Sequence, residues 1–196
     1  MTADFRHIHF LKSVAAPRDL PPDTGREVAF AGRSNAGKSS ALNAIAGIKG
    51  LARVSKTPGR TRLINIFELE EQRRLVDLPG YGYARVPQAI RAGWAQLMQD
   101  YFASRASLAG LVLVMDIRQP LTAFDAQLLA WVAPLELPVQ ALLTKADKLS
   151  RTAALATQRA VSAGLKGRAG VQVFSALSGD GAEAARRMIR DWLAGA

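Results

Sequence analysis

Short apolar runs alternate along the chain with longer stretches whose apolar residues recur every three or four positions. The runs fall at 28–31, 63–69, 74–76, 111–115, 139–143 and 171–174. Several are apolar almost throughout, the pattern of strands covered on both faces. Between them, Trp94, Leu97, Met98, Tyr101 and Phe102 mark one side of a helix over 91–105. Ala185, Met188, Ile189 and Trp192 do the same over 182–193, and Thr122 is placed to cap a helix over 123–132. The three tryptophans stand in helical stripes and read as core. Strands alternating with helices require crossover connections, which pack helices on both faces of a sheet. The expectation is an α/β domain over 27–196, built on a mostly parallel six-stranded sheet. Residues 1–26 contain Pro17, Pro21 and Pro22 and little periodicity. They read as an extension packing on that domain, in which 9–11 offer a short further edge strand.

Composition narrows the function classes. At 196 residues, 49% hydrophobic and 21% charged, the chain suits one folded domain rather than a disordered, collagen-like or coiled-coil protein. There is no cysteine, so neither a disulfide framework nor thiol catalysis is open to it. No apolar run approaches the roughly 18 residues of a membrane span, and the N-terminal stretch lacks the apolar core of a secretory signal. A cytoplasmic protein without a membrane partner is expected. Lys and Arg total 26 against 16 acidic residues, and the resulting net charge of +10 favours an anionic partner such as nucleic acid.

Directly after the first strand stands Gly32-Arg33-Ser34-Asn35-Ala36-Gly37-Lys38-Ser39. This is the phosphate-loop pattern G-x-x-x-x-G-K-[ST]. Its glycines let successive backbone N–H groups turn toward a phosphate, and the helix that follows, over 38–46, adds its positive N-terminus. Lys38 can reach β- and γ-phosphates, and the Ser39 hydroxyl can ligate Mg²⁺. Asp77-Leu78-Pro79-Gly80 ends the run at 74–76. A carboxylate at a strand tip can hold Mg²⁺ through water, and Gly80 lets a backbone N–H approach a γ-phosphate.

Thr144-Lys145-Ala146-Asp147 follows the run at 139–143. A carboxylate there can accept hydrogen bonds from guanine N1–H and the 2-amino group. Adenine offers neither donor, and a site built for a hydrogen bond rejects a ligand lacking it. The Lys145 stem can cover a ring face. Ser175-Ala176-Leu177 follows the last strand, where a backbone N–H can meet guanine O6, and Phe174 at the end of that strand joins Ser175 and Ala176 as a candidate nucleotide contact.

The wording of these motifs resembles one family within the TRAFAC class of translation-factor-like GTPases. GRSNAGKSS, SKTPGRTRLIN, LVDLPGYGYA, LLTKADKL and FSALSG are similar to the bacterial EngB/YihA/YsxC GTP-binding proteins, over a stretch from about Phe10 to the C-terminus. The resemblance implies a small-G-protein-like P-loop fold, GTP or GDP as ligand with Mg²⁺, and slow GTP hydrolysis. It further implies a part in assembly of the large ribosomal subunit and in normal cell division and septation. It adds a switch segment at 47–62, with Gly59, Arg60, Thr61, Arg62 and Leu63 near the nucleotide. The residues alone leave Thr57 and Thr61 equally able to ligate Mg²⁺; by resemblance the ligand is Thr61, beside Ser39. Hydrolysis is then expected to rest on Lys38, Thr61 and Asn35, the last through an activating K⁺. Asn35 is equally a turn former.

Many signalling GTPases carry glutamine after Asp-x-x-Gly to orient water. Here that position is Tyr81. Slow turnover follows, and a GTP-gated binding module in which hydrolysis is incidental is the second reading. A kinase of the P-loop class is disfavoured by Asp147 and by the lack of an arginine-rich lid. Lys49, Arg53, Lys56, Arg60 and Arg62 form one basic run, and Arg186, Arg187 and Arg190 with Lys166 and Arg168 a second. Both are candidates for contact with a ribosomal particle or rRNA, and the chain is expected to be a monomer. His7 and His9 lack a companion carboxylate cluster and read as no metal site.

Overall fold

The computed structural model describes residues 5–52, 63–70, 72–81 and 88–195, the side chains of 88–91 excepted. In chain order the elements are β1 (His9–Val14), β2 (Arg26–Gly32), α1 (Lys38–Ala46), β3 (Ile64–Glu70), β4 (Arg73–Asp77) and α2 (Gln88–Ser104). They continue with β5 (Leu108–Asp116), α3 (Ala123–Val132), β6 (Val139–Thr144), α4 (Arg151–Leu165), β7 (Gly170–Val173) and α5 (Ala182–Ala194). One sheet holds the strands in the order β1-β3-β4-β2-β5-β6-β7. From β4 to β7 neighbouring strands are parallel, whereas β3 is antiparallel to both β4 and β1.

The sheet has seven strands, one more than the six expected from the apolar runs. The addition is β1, which covers the otherwise open edge of β3 and satisfies its backbone groups. Its residues 9–13 are all exposed, so no buried-face alternation betrays it as a full strand.

Side-chain alternation divides the core in two. In β2, Val28 and Phe30 face α1 and α5, joining Leu42, Ile45, Ile189 and Leu193. Ala29 and Ala31 face the opposite layer with Met98 and Tyr101 of α2, Leu128 of α3 and Val161 of α4. Every residue of β5 is buried, as its apolar run demands. Complete burial of each Val, Leu or Ile side chain here contributes about 1.5–3 kcal/mol. Trp94, Trp131 and Trp192 are partly buried and pack against these two cores. Gly110 interrupts the β5 run because a Cβ there would overlap the Trp192 ring of α5.

Charge is also buried, at the edge of the sheet opposite the phosphate loop. Glu27 is fully buried at the start of β2 and pairs with Arg105, Arg74 and the Tyr101 hydroxyl. The two arginines also donate to the carbonyls of Pro21, Pro22 and Thr24. Asp23 accepts the backbone N–H groups of Ala106 and Ser107 at 2.8 and 2.9 Å. The buried Glu27 requires such partners, and with the exposed Asp23 they tie the segment before β2 to the turn between α2 and β5. At the other edge, the loops leaving β2, β4, β5, β6 and β7 converge.

Candidate nucleotide-binding site

The loop leaving β2 at Gly32 turns through two left-handed residues, Asn35 (φ 62°) and Gly37 (φ 94°), before α1 begins at Lys38. Glycine accepts that conformation without strain, and at Asn35 it is tolerated. The turn leaves the first N–H groups of α1 without intrahelical partners and directed toward the loop. Lys38 lies almost buried and pairs with Asp77 at the tip of β4, whose other oxygen accepts Asn65 Nδ2 at 3.4 Å. Ser34 N–H donates to Tyr81 O at 2.7 Å, and Tyr81 N–H to Gly32 O at 3.4 Å. Gly80 sits so close to this loop that a Cβ would lie 3.3 Å from Ser34 Cα. Asp77, Leu78, Pro79 and Gly80 therefore lie directly against Gly32, Arg33 and Ser34.

The tip of β6 braces the same loop from the other side. The Thr144 hydroxyl donates to Ala36 O and lies 3.0 Å from Met115 O. Lys145 reaches across to Asn35 O at 2.6 Å and to Asp116 at 2.9 Å. Ala146 N–H donates to Phe174 O at 3.2 Å, and the Ser175 hydroxyl to Asp147 Oδ1 at 2.8 Å. That hydrogen bond, ahead of Lys148, holds the Asp147 carboxyl below the usual carboxylate range. Asp147, Lys145, Gly37, Asn43, Gly47 and Ala176 contribute to the walls of an open cavity of about 650 Å³.

The structure thus gathers Gly32 to Ser39, Asp77 to Gly80, Thr144 to Asp147 and Phe174 to Ala176 at one edge of the sheet. Leu63 lies just before β3 and is partly exposed. Gly59, Arg60, Thr61 and Arg62, together with Thr57, Lys56 and Arg53, lie outside the described residues. Among the described residues, no three or more His, Asp or Glu side chains gather as a metal-binding cluster. Of the two expected Mg²⁺ ligands, Ser39 stands in the first turn of α1 and Thr61 lies outside the described residues; the Ser39 hydroxyl, with the Asp77 carboxylate acting through water, supplies hard oxygens that fit this ion when phosphate oxygens and water complete its shell.

Two residues were missed by sequence reasoning. Asp116, at the tip of β5, is buried beside Lys145; burial opposes its ionisation, but Arg118 and Lys145 together hold its carboxyl far below the usual range. Its position at the end of an apolar run, like that of Asp77, was the available signal. Asp125 of α3 is the other. It forms a capping box with Thr122 and accepts the Tyr81 hydroxyl at 2.5 Å. Burial, then Asp125, pushes the Tyr81 phenol well above its ordinary value. Tyr81 packs at 5.2 Å from Trp94 and 6.1 Å from Phe124, between ring centroids, so its side chain points into the core.

Comparison with known proteins now bears on the site. The family described as 50S ribosome-binding GTPase matches residues 27–145. A "Probable GTP-binding protein EngB" of Azoarcus sp. (strain BH72) is 54% identical over 193 residues, with 96% of this chain and 92% of the relative covered. The chain belongs to the EngB family of GTP-binding proteins. A second EngB, from Nitrosococcus oceani, is 50% identical, with 98% of each chain covered. A crystal structure of an EngB superposes with a TM-score of 0.71 at 20% identity, covering 87% of this chain and all of that one. Era in complex with MgGDPNP and a segment of 16S ribosomal RNA superposes at 0.65 and 19% identity, covering 85% of this chain and 56% of Era. At these identities both structures speak for the P-loop GTPase fold alone.

Proposed function

We propose that the chain binds GTP and GDP with Mg²⁺ at this edge, hydrolyses GTP slowly, and acts as a switch in assembly of the large ribosomal subunit. Residues 27–196 form the GTP-binding domain on this reading, with 1–26 as an N-terminal extension whose strand β1 joins the same sheet. The observation that carries the proposal is Asp147, fixed by Ser175 in the wall of a cavity that also takes in Gly37 of the phosphate loop. Lys38 exchanges its ion pair with Asp77 for the β- and γ-phosphates, so nucleotide binding frees the Asp77 carboxylate. The backbone N–H groups of the loop from Gly32 to Gly37 line the phosphates, and Gly80 offers its own N–H to the γ-phosphate. The Lys145 stem covers the guanine ring, Asp147 accepts from its N1 and amino group, and Ala176 N–H meets O6. Ser39 and Thr61 would hold Mg²⁺, which would supply positive charge against the phosphates. Asn35 would help hold an activating K⁺. Gly59, Arg60, Arg62 and Leu63 complete the nucleotide contacts.

Slow turnover follows from Tyr81, whose hydroxyl is committed to Asp125 and leaves no side chain there to orient water. The same observation favours the second reading, a GTP-gated binding module in which hydrolysis is incidental. Both place a monomer in the cytoplasm with an RNA-rich partner, and the family resemblance adds the requirement in division and septation. Co-sedimentation with ribosomal subunits under a non-hydrolysable GTP analogue, GDP and no nucleotide tests the switch. Preferential binding with the analogue supports it; equal binding in all three rejects it. Acceleration of hydrolysis by ribosomal particles and K⁺ separates the enzyme from the module.

A further inference from the structure

We infer that Asp116 is a positioning residue for nucleotide binding and that it acts through Lys145. This rests on the reading of Lys145 as a wall of the guanine nucleotide site. Lys145 sits in the left-handed region at φ 60°, a conformation that costs a non-glycine residue about 1 kcal/mol or more. Its four-carbon stem has several rotatable bonds, so a lone lysine would sweep a wide arc over the cavity. Two contacts stop it: Asn35 O at 2.6 Å and the Asp116 carboxylate at 2.9 Å.

Asp116 can serve as an anchor because it is itself immobile. Its side chain is 8% exposed. It pairs with Thr144 in the β5–β6 register, and Ile117 N–H donates to Thr144 O at 3.0 Å. Arg118 closes around it, with Nε at 3.0 Å, Nη2 at 2.7 Å and the backbone N–H at 3.0 Å. Sheet register thus fixes a carboxylate, the carboxylate fixes the ammonium of Lys145, and the ammonium fixes Asn35 of the phosphate loop. The lysine is held extended before any nucleotide arrives, which removes an ordering cost from binding. Immobilising one such side chain is worth roughly a 2- to 12-fold change in affinity.

The test is a double-mutant cycle read by titration of GDP and a non-hydrolysable GTP analogue. Asp116→Asn keeps the shape and loses the charge. It should weaken both nucleotides by the same factor, about 5- to 10-fold, and raise KM for GTP without changing kcat. Lys145→Ala should weaken both further, and adding Asp116→Asn to it should change nothing more. Additive losses, or a loss confined to the GTP analogue, would overturn the inference. If Asp116→Asn does not fold, Arg118→Gln replaces it: its side chain is 51% exposed, and it should show a smaller loss that also disappears in the Lys145→Ala background. An Arg118→Gln loss that persists there rejects the coupling. Failure of the unsubstituted protein to bind either nucleotide would instead defeat the site assignment itself.

Discussion

Replacing Tyr81 with Phe separates an anchor from a catalyst. The ring is 2% exposed and packs between Trp94 and Phe124, contacts that phenylalanine retains. What is lost is one hydrogen bond of 2.5 Å to Asp125 Oδ1. Asp125 Oδ2 keeps the Thr122 N–H and hydroxyl, both at 2.7 Å, so the carboxylate stays partly satisfied. A hydrogen bond to a buried charged group contributes about 1.5–3 kcal/mol, and about 2 kcal/mol is the expected loss here. For a chain of this length that corresponds to a fall in Tm of roughly 4–8 °C. GTP turnover should stay within about twofold, because the hydroxyl faces α3 and the backbone bridge from Tyr81 to Ser34 and Gly32 is untouched. Calorimetry and single-turnover hydrolysis together decide the matter. Turnover reduced tenfold or more at an unchanged Tm would place the hydroxyl in the chemistry and refute the anchor.

The basic residues of α5 should separate in the same way. Arg186 donates to Ile45 O at 2.7 Å and to Ala44 O at 3.4 Å, capping the carbonyl end of α1, whereas Arg187 is exposed. Arg186→Ala should therefore cost about 1–2 kcal/mol in urea unfolding. Arg187→Glu should leave stability unchanged and flatten the salt dependence of ribosomal-particle binding by about one unit of slope. Acid should act through Asp23. Burial opposes its ionisation, but Ser107, the Ala106 N–H and Arg105 outweigh that and lower its pKa from 3.8. A depressed carboxylate contributes stability that is present above its unfolded value and lost as pH falls through its folded one. Asp23→Asn should thus lower stability at pH 7 and flatten the decline below about pH 4; parallel curves in a pH series of unfolding would reject this.

What could be read from the sequence was local. Gly32 through Ser39 are consecutive, and Thr122 stands directly before the helix it caps, so loop and cap announce themselves, whereas the Asp125 half of the capping box does not. The α1 boundaries, Lys38–Ala46, follow from the glycine on either side of that helix. Helix α4 was not anticipated, because 151–165 is alanine-rich with only Ala154, Val161 and Leu165 buried. Asp116 gains its meaning from Lys145, 29 residues later, and Glu27 from Arg105, 78 residues later. No periodicity reports such pairings. Arg186 and Arg187 are chemically identical in the sequence, and only the packing of α5 on α1 commits one of them to carbonyl oxygens.

The central claim is that Asp147 reads the guanine base. Competitive titration of GTP, ATP and XTP against the unsubstituted protein and Asp147→Asn tests it most directly. The asparagine amide is a donor where the carboxylate accepts, and xanthine presents a carbonyl where guanine presents its amino group. The unsubstituted protein should prefer GTP over both competitors by about a hundredfold or more. The Asp147→Asn protein should lose GTP and bind XTP instead, with Tm unchanged. Retention of the full GTP preference by the folded variant would contradict the account.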